Sequence, residues 1–217
     1  SEEAEQLLKS KKLNFIPVLD NKNIPISYIN WSNVNNNLYK KQNIDIPVVI
    51  MSGGKGKRLE PFTQVLPKPL IPIQNKTIIE HIIEKFTDLG CSKFYLTVNY
   101  KEKILKAYFE ELSPSYSVDF ITEATPLGTA GSLKLISDKI QEPFFVSNCD
   151  IIIKSDYSKI YDFHKKGNYD LTLVASMKEY EIPYGTCVLN EEGYLSHINE
   201  KPKFDFLINT GLYILNP

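Results

Sequence analysis

Arginine is almost absent from this chain: one, Arg58, stands among 25 basic residues, and no glycine occurs in residues 1 to 46. The single planar, always-charged fork is kept in the run Gly53-Gly54-Lys55-Gly56-Lys57-Arg58-Leu59, beside three of the ten glycines. A fork-shaped cation next to closely approachable backbone points to a polyphosphate ligand. Cysteine is scarce too. Cys91, Cys149 and Cys187 are odd in number, far apart and without paired ligand spacing, which argues against a disulfide framework and for reduced thiols in a cytosolic protein. No stretch reads as a secretory signal, and none nears the length of an apolar membrane span. Charge of either sign is not in excess: 25 basic against 26 acidic residues leave a net charge of -1. That balance lacks the footprint of a nucleic-acid or anionic-membrane partner, so an anionic ligand must be held locally.

What is present is enough for one substantial α/β domain and a small appendage: 217 residues, 42% hydrophobic. Val48-Val49-Ile50-Met51 reads as a short buried strand, and the glycines follow its end, where open α/β sheets bind ligands. Lys68 lies between Pro67 and Pro69, in a stretch from Pro61 to Pro72 with four prolines. Prolines restrict φ and disfavour helix, so Lys68 is expected on a stiff, extended segment returning toward the glycine loop. Two familiar phosphate loops fail on spacing. Neither Gly53 nor Gly54 is followed at the right distance by Gly-Lys-Ser/Thr, and Leu59 takes the place of the third glycine of a dinucleotide fingerprint.

Residues 1 to about 46 read as a helix from Glu2 to Lys11 and two strands, Phe15 to Leu19 and Ile24 to Ile29, joined at Asp20-Asn21-Lys22-Asn23. A polar linker, Asn33 to Asn37, follows. Beyond it strand-like and helix-like segments alternate. Ile78, Ile79, Ile82, Ile83, Phe86 and Leu89 form one helix face stopped at Gly90, leaving His81, Glu84 and Lys85 on the polar face. Further helices are expected at 101–111, 130–140 and 158–166. Strands are expected at 94–98, 116–121, 144–147, 171–176, 185–189 and 194–198, with a hairpin turn at Asn190 to Gly193. His164 and His197 lack ligand-spaced partners.

The pattern GGxGxRLxPxT followed by PKPL, present here as GGKGKRLEPFT and PKPL, resembles the sugar-1-phosphate nucleotidyltransferases. The likeness runs from about Pro47 to Pro217. It implies a three-layer α/β/α sandwich with a mixed, Rossmann-like sheet of the nucleotide-binding glycosyltransferase-A kind. It also implies a reaction of a nucleoside triphosphate with a sugar 1-phosphate, giving a nucleotide sugar and pyrophosphate. The attacking phosphate oxygen is largely ionised already, since its second pKa is about 6. No protein base is required, and catalysis becomes alignment and charge neutralisation.

The resemblance assigns parts to that task. Met51 and the amides of Gly53, Gly54 and Gly56 would hold the nucleotide, with Arg58 and Lys68 on its phosphates. Leu127-Gly128-Thr129-Ala130-Gly131 resembles the family's LGTAG loop beneath base and ribose, although Thr129 reads equally as a helix cap. Asn148-Cys149-Asp150 resembles the metal element NGD with cysteine for glycine, and implies that Asp150 holds Mg²⁺. On the sugar side stand Tyr184-Gly185, Glu200-Lys201-Pro202 and Asn209-Thr210, with Lys201 approaching the sugar phosphate. Taken alone, Asp150 is also a strand-end cap, Glu200 and Lys201 a solvated pair, and Tyr184 a strand-edge aromatic.

The family's second metal-binding aspartate has no counterpart after Asp205. The resemblance therefore implies a longer enzyme, in which residues 1–45 form a partial segment of a cystathionine-β-synthase-type (CBS) repeat and linker, and 46–217 the nucleotidyltransferase domain. An intact CBS pair would bind an adenosine nucleotide, and a homo-oligomer is compatible with this plan. The arrangement is similar to glucosamine-1-phosphate guanylyltransferases that serve bacterial surface glycans, which favours GTP. Two other readings stay open: a catalytically inactive nucleotide-binding subunit of the same fold, and a cytidylyltransferase for a non-sugar phosphate.

Overall fold

The computed structural model describes residues 6–8, 10, 11, 13–30, 43–125, 127, 128 and 130–217. Backbone proximity divides the chain into Ser1–Asn43 and Ile44–Pro217.

The first unit is built on a hairpin of β1 (Phe15–Leu19) and β2 (Pro25–Asn30), paired antiparallel with Ile16 opposite Ile29. Its turn is fixed by Asp20, whose carboxylate accepts from the amides of Lys22 and Ile24, both at 2.8 Å. The hairpin agrees with the sequence. Of the expected helix, residues 6–8 and 10 are helical; its first residues and the Asn33–Asn37 linker lie outside the described residues.

The second unit is a six-stranded mixed sheet. β3 (Val48–Met51) pairs in parallel with β6 (Lys93–Val98) and β8 (Phe144–Asn148), and β6 with β7 (Ser117–Thr122). β12 (Lys203–Leu215) runs antiparallel to β8 and to β9 (Leu171–Glu181), so the order is β7-β6-β3-β8-β12-β9. Two small ribbons complete the strands: β4 (Pro72–Ile73) with β5 (Lys76–Thr77), and β10 (Thr186–Leu189) with β11 (Leu195–Asn199).

Alternation along the strands sends side chains to two cores. Val48, Ile50, Phe94, Leu96 and Phe145 pack with residues of α1 (Ile78–Thr87), α2 (Glu102–Leu112) and α3 (Tyr157–Gly167). Val49, Tyr95, Ile121, Phe144 and Val146 face Ile136 and Ile140 on the other side. The helix α1 carries the expected apolar face and begins in a reciprocal capping box, Thr77 with Glu80, whose carboxylate also accepts from the Tyr108 hydroxyl at 2.6 Å.

Several expectations are corrected. Residues 130–140 form a 3-10 helix only over Gly131–Ile136, and just past its end the Ser137 hydroxyl bonds the Lys134 carbonyl. The proline-rich segment is not extended throughout. A one-turn helix, Phe62–Val65, starts directly after Pro61, and Lys68–Leu70 is a 3-10 turn with Pro69 in its first turn, where the missing N–H costs nothing. β9 runs five residues past its expected end, and β12 was not foreseen as a strand. Asn209-Thr210-Gly211 forms a bulge in β12, where the pairing with β9 shifts register and Gly211 takes φ 77°. His81 is half-buried and bonds the Ile73 carbonyl at 3.0 Å instead of facing solvent. His164 is buried between Thr172 and Asn216, a satisfied core histidine.

Candidate functional site

In the order β7-β6-β3-β8, successive strands leave β3 first to one side and then to the other. The crevice at the carboxyl ends of β3 and β8 is therefore the topological switch point, where open α/β sheets bind their ligands. The glycine loop leaves β3 there and Asn148 to Asp150 leave β8. Met51 ends β3, its sulfur facing the hydroxyls of Thr97 and Ser132.

Each glycine of the loop has its own reason. A Cβ on Gly53 would meet a carboxylate oxygen of Glu123 at 2.9 Å; on Gly56, at φ 66°, it would meet Thr63 Cγ2 at 2.8 Å and Lys68 Cβ at 3.2 Å. Gly54 faces open space. Thr63 closes the turn by donating to the Gly56 carbonyl at 3.1 Å, so the one-turn helix and the glycine loop are a single packed piece. Lys68 is drawn beside that loop, and its ammonium donates to the Asp150 carboxylate. Arg58 is exposed in the 3-10 turn Lys57–Leu59, and among the described residues its guanidinium has no hydrogen bond or ion pair.

Across β8, Gly211 lies against the Asn148 side chain, which brings the Asn-Thr-Gly bulge to the Asp150 corner. Asn209 and Thr210 spend their polar atoms on the bulge: Asn209 accepts from the Gly211 amide at 2.9 Å and donates to the Tyr213 hydroxyl at 2.7 Å, and Thr210 donates to the Val174 carbonyl at 2.7 Å. Cys149 is buried, and burial first, then the Asp150 charge, push its thiol up to about 12, with Lys68 pulling it back.

The remaining sugar-side residues form a second group. Gly185 faces Glu200 across the β10–β11 ribbon, where a Cβ would meet the Glu200 carboxylate at 2.9 Å. Tyr184 is exposed, and Lys201 holds a left-handed φ of 45°. Among the described residues, no hydrogen bond or ion pair joins this group to the switch-point group. Leu127, Gly128 and Ala130 follow β7, Gly128 at φ 81°, whereas Thr129 lies outside the described residues.

Sequence reasoning missed Glu123. It is 6% exposed at the end of β7, between the two glycine loops, and its carboxylate accepts from the Leu127 amide at 3.3 Å. Fully buried glutamates are rare, but a lone Glu after a strand carries no signal of burial in the sequence itself.

Among the described residues no three His, Cys, Asp or Glu side chains could together hold an ion. The donor set fits a divalent cation that takes one protein carboxylate, Asp150, and leaves its other positions to water and phosphate oxygens.

The family model described as nucleotidyl transferase matches residues 47–217. The chain belongs to this family. As a nucleotidyl transferase it is 38% identical over 178 residues to the mannose-1-phosphate guanyltransferase of Yarrowia lipolytica, covering 78% of this chain and 49% of that protein. The Saccharomyces cerevisiae mannose-1-phosphate guanyltransferase is 37% identical over 179 residues, with the same coverage. The chain thus spans about half the length of the curated relatives it matches. Among solved structures, HddC from Yersinia pseudotuberculosis aligns with a TM-score of 0.61 and 30% identity over 79% of this chain and 76% of that one. HddC complexed with GMP-PN aligns at 0.60 and 28% over the same shares. No helix among the described residues is long and apolar enough to cross a membrane.

Proposed function

We propose that this nucleotidyl transferase moves a guanylyl group from GTP to a sugar 1-phosphate, with mannose 1-phosphate the first acceptor to try, as a step toward glycan precursors. The observation that carries the reading is the meeting of the glycine loop, Lys68 and Asp150 at the switch point between β3 and β8. Relatives whose names specify guanyl transfer to mannose 1-phosphate support the choice of base and acceptor.

The sugar phosphate oxygen attacks the α-phosphorus of GTP, the bond from that phosphorus to the bridging oxygen of the departing pyrophosphate breaks, and both electrons leave with pyrophosphate. The chain's part is to hold these groups in line and offset their charge. Amides of the glycine loop cradle the phosphates. The exposed Arg58 fork takes the pyrophosphate oxygens in pairs, and Lys68 adds a point charge beside them. Lys201 plays the matching role on the sugar phosphate, with Glu200 on sugar hydroxyls. Bound magnesium would supply further charge neutralisation across the phosphates, with Asp150 as its protein carboxylate.

Glu123 supports guanine in particular. An ionised carboxylate offers only acceptors, and guanine alone among the common bases presents two adjacent donors, N1–H and the N2 amino group, to accept such a pair. Its place between the two glycine loops suits the base. On the same reading the protein works in the cytoplasm, and the hairpin of residues 15–30 belongs to a CBS-like segment.

The test is pyrophosphate release with ATP, GTP, CTP, UTP and dTTP against a panel of sugar 1-phosphates, followed by inosine triphosphate, which lacks the N2 amino group. GTP should be preferred over inosine triphosphate by roughly tenfold or more in kcat/KM, and Glu123→Gln should erase most of that preference. A preference for another base, or one untouched by Glu123→Gln, would remove guanine from the assignment.

A further inference from the structure

Two residues given opposite tasks, Lys68 on phosphate and Asp150 on the cation, are bound to each other. Both sit on short, anchored backbone. Lys68 opens a 3-10 turn whose Pro69 and Leu70 are buried, with its stem against the Gly56 turn. Asp150 follows the buried Cys149 directly after β8. The pairing spans the gap by the reach of the lysine side chain, which is 22% exposed against 35% for the aspartate. The other cations of the phosphate loop, Lys55, Lys57 and Arg58, are exposed and form no ion pair among the described residues. One ammonium therefore occupies the carboxylate at the end of β8 that is assigned to a metal, while the Glu123 carboxylate lies buried against Gly53.

We propose that Lys68 is a resident counter-ion that keeps divalent cations off Asp150 until a triphosphate arrives. The triphosphate offers Lys68 a more highly charged partner, and as the lysine turns to it the carboxylate is released for the cation that the triphosphate brings. Cation and triphosphate are then coupled ligands: each favours the state in which Lys68 has left Asp150, and the coupling is reciprocal. The inference rests on the assignment of Asp150 and Lys68 in the proposed reaction, but not on the identity of the base or the sugar.

Mn²⁺ alone tests it. The nucleotide-free protein, its Lys68→Met and Lys68→Arg variants and the double variant Lys68→Met/Asp150→Asn are titrated with Mn²⁺, reading free ion by electron paramagnetic resonance, with a thermal melt to verify folding. Lys68→Met should bind Mn²⁺ roughly fivefold more tightly than the parent, about 1 kcal/mol, at the upper end for a partly exposed pair. Lys68→Arg, which keeps the charge, should stay within about twofold of the parent. The double variant should lose the gain. Equal or weaker binding by a folded Lys68→Met protein overturns the proposal, and so does a gain that survives Asp150→Asn. Failure to use GTP in the turnover assay leaves this result standing, so the two readings fail separately.

Discussion

Arg58 carries the sharpest contrast in the chain, because the 24 other basic residues are lysines by subtraction of the one arginine from 25. Its guanidinium is exposed and uncommitted among the described residues, as a group waiting for an external anion would be. Arg58→Lys keeps the charge but loses the two-pronged contact, and should lower kcat/KM by about tenfold or more, some 1.4 kcal/mol, with unchanged urea stability. Undiminished turnover would detach Arg58 from the reacting phosphates. Arg58 was legible because its scarcity and its glycine neighbours sit in the same few residues. Glu123 was not, because its burial depends on β7 ending beside the glycine loop, a fact of the strand order and not of its neighbours in sequence. Lys68 and Asp150 could each be named from motifs, yet their mutual bond spans 82 positions and only the fold could reveal it.

At the scale of elements, the glycine loop is one packed piece with the helix Phe62–Val65, joined where Thr63 bonds the Gly56 carbonyl. Gly56→Ala meets two penalties there: a left-handed φ of 66°, and a Cβ 2.8 Å from Thr63 Cγ2. The variant should lose about 1–2 kcal/mol in urea unfolding and bind triphosphate more weakly by calorimetry. Wild-type values in both would mean that the loop relaxes freely. Parallel strands and helices were readable wherever apolar periodicity was uninterrupted, as in α1 and β6. The reading failed where that periodicity is interrupted or one residue type has two uses. The bulge at Asn209-Thr210-Gly211 interrupts the alternation of β12, so its pattern does not read as one strand, and proline, which disfavours helix interiors, is accommodated in a first helical turn.

For the whole molecule, two buried thiols add to the alkaline limit, with Tyr116, which burial pushes up to about 12, acting in the same direction. Burial raises Cys91 from 9.0 to about 11 and Cys149 from 9.0 to about 12, so the folded chain keeps protons that the unfolded chain releases. Between those values the native state binds more protons, and stability falls as pH rises. The full contribution is present below pH 9 and is lost progressively above it, by up to ~1.4 kcal/mol per pH unit for each thiol. Urea midpoints measured from pH 8 to pH 10.5 should decline, and Cys149→Ala should flatten part of the slope. A midpoint constant across that range would contradict the burial of both thiols. The bulge in β12 divides the molecule in another respect. Leu212–Leu215 is clamped between β8 and β9, with Leu212 and Ile214 wholly buried, whereas among the described residues Lys203–Asn209 pairs with β9 alone and exposes Phe204, Phe206 and Leu207. A single strand therefore crosses from the deeply buried part of the fold to an exposed edge, and its amides are expected to exchange by global unfolding on one side and by fraying on the other. The end of the strand nearest Glu200 and Lys201 is thus the one expected to fray, while the end against β8 stays shut.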